Sequence, residues 1–280
     1  MLPILLALGA SAFWGVGDFI GGVQSRRWPV LTIVLISQSA GLILIAVVVS
    51  ARGVGPPGLE ATLAAVGAGL VGALALATFF RAFAIGKISV VAPIVATSAI
   101  VPVIGGIVQG ERPGSLQVVG IAIAIVGVIL VSQEHDSAAN QRRSPRLAIL
   151  LAVATAILFG FALVGLDIGA ADDAYWSVLI FRIATVLAIG IAVLALGRRP
   201  TITRADGQLI VLVGILDVTA TIMFAVAASK GLLSVVGVLS SLFPVVTIAL
   251  AHVRLGERLS VSQRLGVALA LVGIAVIATG

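Results

Sequence analysis

The chain has no cysteine and only two histidines among its 280 residues. Without thiols, neither a disulfide framework nor a thiolate metal site can form. His135 and His252 lie too far apart in sequence to suggest a metal cluster, and no cofactor is expected. Charge is the next scarcity. Only 10% of the residues are charged, whereas 60% are hydrophobic and the mean hydropathy is +1.26. Soluble domains carry about 25% charged residues. A soluble core could not cover this much apolar surface, so the solvent must be lipid. The formal net charge of +6 would suggest nucleic acid in a soluble domain. Here the basic residues scatter through short connections and form no stripe, so no nucleic-acid partner is expected and the charges read as topology signals.

What the chain does have is a series of apolar runs between short polar breaks. The expected spans are 2–23, 30–50, 59–83, 90–108, 116–131, 147–166, 175–196, 209–228, 232–253 and 261–278. A helix needs about 20 residues to cross a hydrocarbon core, and a barrel strand only about 9–11. The expectation is therefore an all-α, multi-pass membrane protein of ten transmembrane helices. The first run lacks a basic leader and is read as a span, not a cleaved signal. Turn chemistry marks the breaks, as in Arg52-Gly53-Val54-Gly55-Pro56-Pro57-Gly58. Ser260 and Gln263 have the spacing of a capping box for the last helix.

The two halves resemble each other. Ile149-Leu150-Leu151-Ala152 repeats Ile4-Leu5-Leu6-Ala7, and the same shift aligns Gly231 with Gly86 and Ser234-Val235-Val236 with Ser89-Val90-Val91. Gly256-Glu257-Arg258 repeats Gly110-Glu111-Arg112 one residue later. The division is a first repeat over 1–135, a polar linker over 136–146 and a second repeat over 147–280. Five spans in each half make the second copy inverted relative to the first. Inverted repeats of this kind place a solute site near the midplane and give alternating access by rocking.

These residues also carry a family resemblance. Each half resembles an EamA repeat of the drug/metabolite transporter superfamily. The second half shows Ser240-Ser241-Leu242-Phe243-Pro244-Val245-Val246, then Leu255-Gly256-Glu257-Arg258-Leu259-Ser260. The first half shows Val91-Ala92-Pro93-Ile94, Val101-Pro102-Val103 and Trp14-Gly15. The resemblance implies ten helices around a central cavity and secondary transport of a metabolite, amino acid or toxic compound. A bacterial-type plasma membrane is the expected location. The second span of such repeats usually carries an arginine; Arg182 fills that place in the second half, but Ser37-Gln38-Ser39 stands there in the first.

Thirteen of the 17 Lys and Arg residues lie in or beside one set of alternate connections. Three (Arg52, Arg112 and Lys230) lie in the other set, and Arg182 is inside a span. The positive-inside rule then places both termini outside. The family resemblance implies cytoplasmic termini.

Candidate site residues follow from cost and position. Charges inside spans are expensive and face a cavity or a partner. Asp217 and Arg182 lie deep in adjacent spans and are expected to pair, either as a structural lock or as a proton-coupling site. Asp18, nearer a span end, is a further candidate carboxylate. Trp14, Ser98, Ser240 and Phe243 are expected to contact the solute, because the fourth and ninth spans carry prolines (Pro93, Pro102, Pro244) at related places. Glu111 and Glu257 are expected to pair locally with the arginines that follow them. Small residues Gly67, Gly69, Gly72, Gly266 and Gly273 are expected at helix contacts. The expected partners are a small solute and the lipid bilayer, with protons as a candidate coupling ion. Two rivals stand: a lipid flippase of the same fold, and an intramembrane aspartyl protease using Asp18, in Gly15-Val16-Gly17-Asp18, with Asp217.

Overall fold

A computed structural model describes residues 1–86, 88–131, 145–196, 202–255 and 261–279. Every regular element among them is helical. In chain order these are α1 (Leu2–Gln24), α2 (Val30–Arg52), α3 (Leu59–Ile85), α4 (Ile88–Ala96), α5 (Ile100–Val108) and α6 (Ser115–Val131). There follow α7 (Pro145–Gly169), α8 (Ala174–Ala195), α9 (Arg204–Ala228), α10 (Leu233–Ser240), α11 (Phe243–Leu255) and α12 (Val261–Thr279). Six of them, α1–α3 and α7–α9, are long and apolar enough to cross a membrane; the others are shorter apolar helices. The linker over 136–144, Glu257 and the Ser260 cap lie outside the described residues.

Two expected spans are not single regular helices. The one over 90–108 contains a 3₁₀ turn at Thr97–Ala99, and the one over 232–253 breaks at Ser241 and Leu242. Proline explains both. Pro102 and Pro244 have no N–H for the carbonyls of Ser98 and Ser240, four residues earlier. Each sits in the first turn of the resumed helix, where an N–H is not needed. Hydroxyls beside the breaks also bond back to the chain, Thr97 to the Ile94 carbonyl at 2.6 Å and Ser241 to that of Gly237 at 2.7 Å.

The side chains sort for a lipid solvent. Ile43 and Val47 on α2, Leu70 and Leu74 on α3, and Leu187 and Ile191 on α8 form exposed apolar stripes. The interior is rich in alanine, glycine, serine and threonine, which let backbones approach, with larger side chains such as Phe79, Phe83 and Phe224 filling the space between. A Cβ on Gly127 of α6 would lie 2.5 Å from Ala270 N of α12, and one on Gly273 would lie 2.7 Å from Ala124 N. Gly69 and Gly72 meet Phe181 in the same way, whereas Gly67 faces open space and is no contact residue.

Packing partners exchange between the halves. α1 packs on α9 as α7 packs on α3, and α2 packs on α9 as α8 packs on α3. α6 and α12 pair with each other. The exchange reaches single atoms. A Cβ on Gly15 would lie 2.6 Å from Val246 Cβ and 2.7 Å from the Phe243 carbonyl oxygen. A Cβ on Gly160 would lie 2.5 Å from Val101 Cβ and 3.0 Å from the Ser98 carbonyl oxygen. Each residue of the second set is the first-set residue or its partner moved by the same register that aligns the repeated sequence.

The connections are exchanged as well. At one end the α2–α3 loop meets the α7–α8 turn: Arg52 forks onto Asp173 through two bonds of 2.7 Å, and Trp176 Nε1 donates to the Val54 carbonyl at 3.0 Å. At the other end α1 meets the start of α9, where Gln24 Nε2 donates to Asp206 at 3.2 Å. Glu111 caps α10, accepting N–H bonds from Leu233 and, at 3.0 Å, from Ser234. The local pairing with Arg112 expected from the sequence gives way to this cap, since the start of a helix leaves N–H groups open and favours negative charge.

Candidate functional site

Four helices bring polar side chains together near the middle of the bundle. On α1, Trp14 and Asp18 are one turn apart and share a face. On α9, Asp217 and Thr221 have the same spacing, with Asp217 near the middle of the 25-residue helix. α2 supplies Ser37 and Gln38, and α8 supplies Arg182. Gly214 makes the approach of α2 to α9 possible, because any Cβ there would collide with the Ser37 carbonyl oxygen at 2.0 Å.

Asp217 is the hub. Its Oδ1 accepts from Trp14 Nε1 at 3.0 Å, and its Oδ2 accepts from Gln38 Nε2 at 2.9 Å and from Arg182 Nη1 at 2.6 Å. Arg182 also donates to the Gln38 amide oxygen, and through Nη2 to the Thr221 hydroxyl at 2.7 Å. The Thr221 hydroxyl in turn donates a hydrogen bond to the Asp217 backbone carbonyl at 2.7 Å. The arginine side chain is 1% exposed and the aspartate 20%. Both charges are thus compensated and most of their polar atoms satisfied, the condition under which a buried pair persists. The Trp14 ring leans on Phe224, centroids 5.9 Å apart.

Beside this hub lies a cavity lined by Trp14, Gly17, Asp18, Ser37, Gln38 and Asp217, and on its apolar side by Leu76, Phe80 and Val213. Its interior, about 10 Å³, has room for roughly one water. The site is therefore closed to any larger solute in this conformation. Asp18 lines the cavity and does not snorkel to a helix end.

Not every candidate comes to this place. Trp14, Asp18, Arg182 and Asp217 are assembled here. Ser98, Ser240 and Phe243 are buried instead at helix crossings beside the two breaks. Ser240 reaches toward the Ala7 carbonyl of α1 at 3.5 Å, and the carbonyl of Phe243 accepts the Thr247 hydroxyl at 3.1 Å. A second small cavity, lined by Thr97, Ser241 and apolar residues such as Ile125 and Val238, includes none of these three. Sequence reasoning missed Gln38 and Thr221 as members of the hub. Their signals were modest: Gln38 sits in a polar triplet inside an apolar span, and Thr221 lies one turn after Asp217.

The family model described as the EamA-like transporter family matches residues 1–133 and again residues 146–279. The chain belongs to the EamA-like transporter family. This EamA-like chain is accordingly an integral, multi-pass membrane protein of a transporter family. A solved crystal structure superposes on it with a TM-score of 0.78 over 98% of this chain and 95% of its own, at 19% identity. At that identity the likeness is one of fold alone. No curated protein matches the EamA-like chain.

Proposed function

We propose that this chain is a secondary transporter that moves a small solute across a bacterial-type plasma membrane by alternating access. Ten membrane crossings, in two inverted five-helix repeats over 1–135 and 147–280, would rock about the broken elements α4–α5 and α10–α11. The observation that carries this reading is the exchange of packing partners between the halves, down to Gly15 against α11 and Gly160 against α5. A structure whose halves trade equivalent contacts can trade conformations at similar energy, as alternating access requires. Metabolites, amino acids and toxic compounds are the solute classes in view. The solute path runs through the cavity at Trp14 and Gln38, with Ser98, Ser240 and Phe243 acting at the hinges.

The protease reading has less support, although Asp18 and Asp217 line one cavity. A catalytic dyad shares one proton between two carboxylates, and here three donors occupy the oxygens of Asp217. The test is a thermal-shift screen of the purified protein against metabolites, followed by flux of each stabilising compound in proteoliposomes. Saturable flux above that of protein-free vesicles is expected. Lipid transfer between leaflets without solute flux would instead establish the flippase, and the absence of both activities would overturn the transport reading.

A further inference from the structure

Three ionisable side chains meet here, Asp18 and Asp217 lining the cavity and Arg182 bound to Asp217, and only two of them are paired. Asp217 and Arg182 neutralise each other at 2.6 Å. Asp18 faces the same cavity and has no hydrogen-bond or ion-pair partner among the described residues. With all three ionised, the site would carry one uncompensated negative charge within a membrane-spanning helix, which is costly. One bound proton removes that charge.

We propose that Asp18 is a reversible proton-binding site of this protein. The alternative acceptor, Asp217, is unsuited. Trp14, Gln38 and Arg182 all point N–H groups at its two oxygens, so a proton placed there would face donors and break the pair with Arg182. Asp18 loses no bond on protonation. The rest of its surroundings supply no counter-charge. Among the described side chains of the helices packed against α1, α9 offers Asp217 and, at its start, the exposed Arg204 and, beside Gln24, Asp206. α10 carries no charged residue, Arg254 of α11 is exposed, and Glu60 and Arg81 of α3 are exposed as well. Leu76 and Phe80 present only apolar surface to the cavity. From α2, Ser37 and Gln38 are neutral.

The size of the cavity excludes organic cations. Room for roughly one water admits a proton carrier but not an organic ammonium. Asp18 holds the proton while the cavity is closed and exchanges it when the cavity opens to bulk water. Resting on the transport reading, this makes Asp18 the residue through which a proton gradient acts on the solute.

The test is infrared difference spectroscopy of the full chain in liposomes across a pH titration, with protons as the only ligand. A protonated carboxyl C=O band that disappears as pH rises is expected in the wild type. It should be lost in Asp18→Asn and retained, at a displaced frequency, in Asp18→Glu, which also covers a failure of Asp18→Asn to fold. A band unchanged in Asp18→Asn, or no titrating band in the wild type, overturns the proposal. Solute flux without a titrating band would leave transport standing and remove the proton site. A titrating band in a protein that moves no solute would do the reverse.

Discussion

At the scale of single residues, the hub at Asp217 depends on each donor being matched. Removing one partner of a buried pair strands the other charge, which costs about 3–5 kcal/mol, whereas replacing both with apolar groups is often close to neutral. Asp217→Ala should therefore lower thermal stability in detergent strongly, by about 3 kcal/mol given that the aspartate is partly exposed. Asp217→Ala combined with Arg182→Met should recover most of that loss. A double variant no more stable than the single one would show that the two side chains do not act as a pair. The pair itself was legible in the sequence, because two charges deep in neighbouring apolar spans need each other. Gln38 was not legible as its third member. A lone amide in an apolar span is compatible with many neighbours, and only the close crossing at Gly214 brings it to Asp217.

Elements and their connections add a second layer. α6 and α12 are held together by small residues, and the near contacts at Gly127 and Gly273 leave no space for a side chain. Gly127→Leu should separate these helices and reduce the yield of folded protein, while Gly67→Leu, on an open face, should be tolerated. Comparing size-exclusion profiles of the two variants checks this directly. The latch between the α2–α3 loop and the α7–α8 turn has a pH signature. Arg52 holds the Asp173 carboxyl below its usual range, assisted by the N–H groups of Trp176 and Tyr175 and opposed by partial burial. A carboxyl depressed in the folded state stabilises above its unfolded value of about 3.9 and loses that contribution as pH falls through the lower folded value. Thermal unfolding of the wild type should thus weaken below about pH 4 more steeply than that of Asp173→Asn. Equal slopes for the two proteins would remove the latch as the source.

For the whole molecule, the scaffold is nearly symmetric but its chemistry is one-sided. Shifted by the repeat register, Asp217 falls on Gly72, Trp14 on Phe159, Asp18 on Leu163 and Thr221 on Leu76. At the mirror position the Phe181 ring fills the space, its Cζ 2.6 Å from where a Gly72 Cβ would lie, and Phe79 packs tilted against Phe83 and edge-on to Phe159. One half-site is polar and the other is packed with aromatic rings. The latch at Arg52 and Asp173 and the cap at Glu111 lie at the end that the charge bias assigns to the outside. A fluorescent reporter that folds only in the cytoplasm should accordingly stay dark when fused to the C-terminus. A bright fusion would reverse the orientation and put that latch on the cytoplasmic face.

Some of this was fixed by sequence alone. Hydrophobic runs of span length dictate helices, because lipid offers no partner for an open backbone group. A repeated order of glycine, proline and Gly-Glu-Arg motifs revealed two related halves, since each local signal acts through its own stretch of chain. Even the pairing of Arg182 with Asp217 followed from the cost of isolated charge. The tertiary structure decided what depends on distance between remote segments. It placed Trp14, Gln38 and Asp18 around the Arg182–Asp217 pair, buried Ser98, Ser240 and Phe243 beside the two helix breaks, and left one half-site apolar. No local pattern encodes these outcomes, because a side chain's partner is set by how closely two backbones cross.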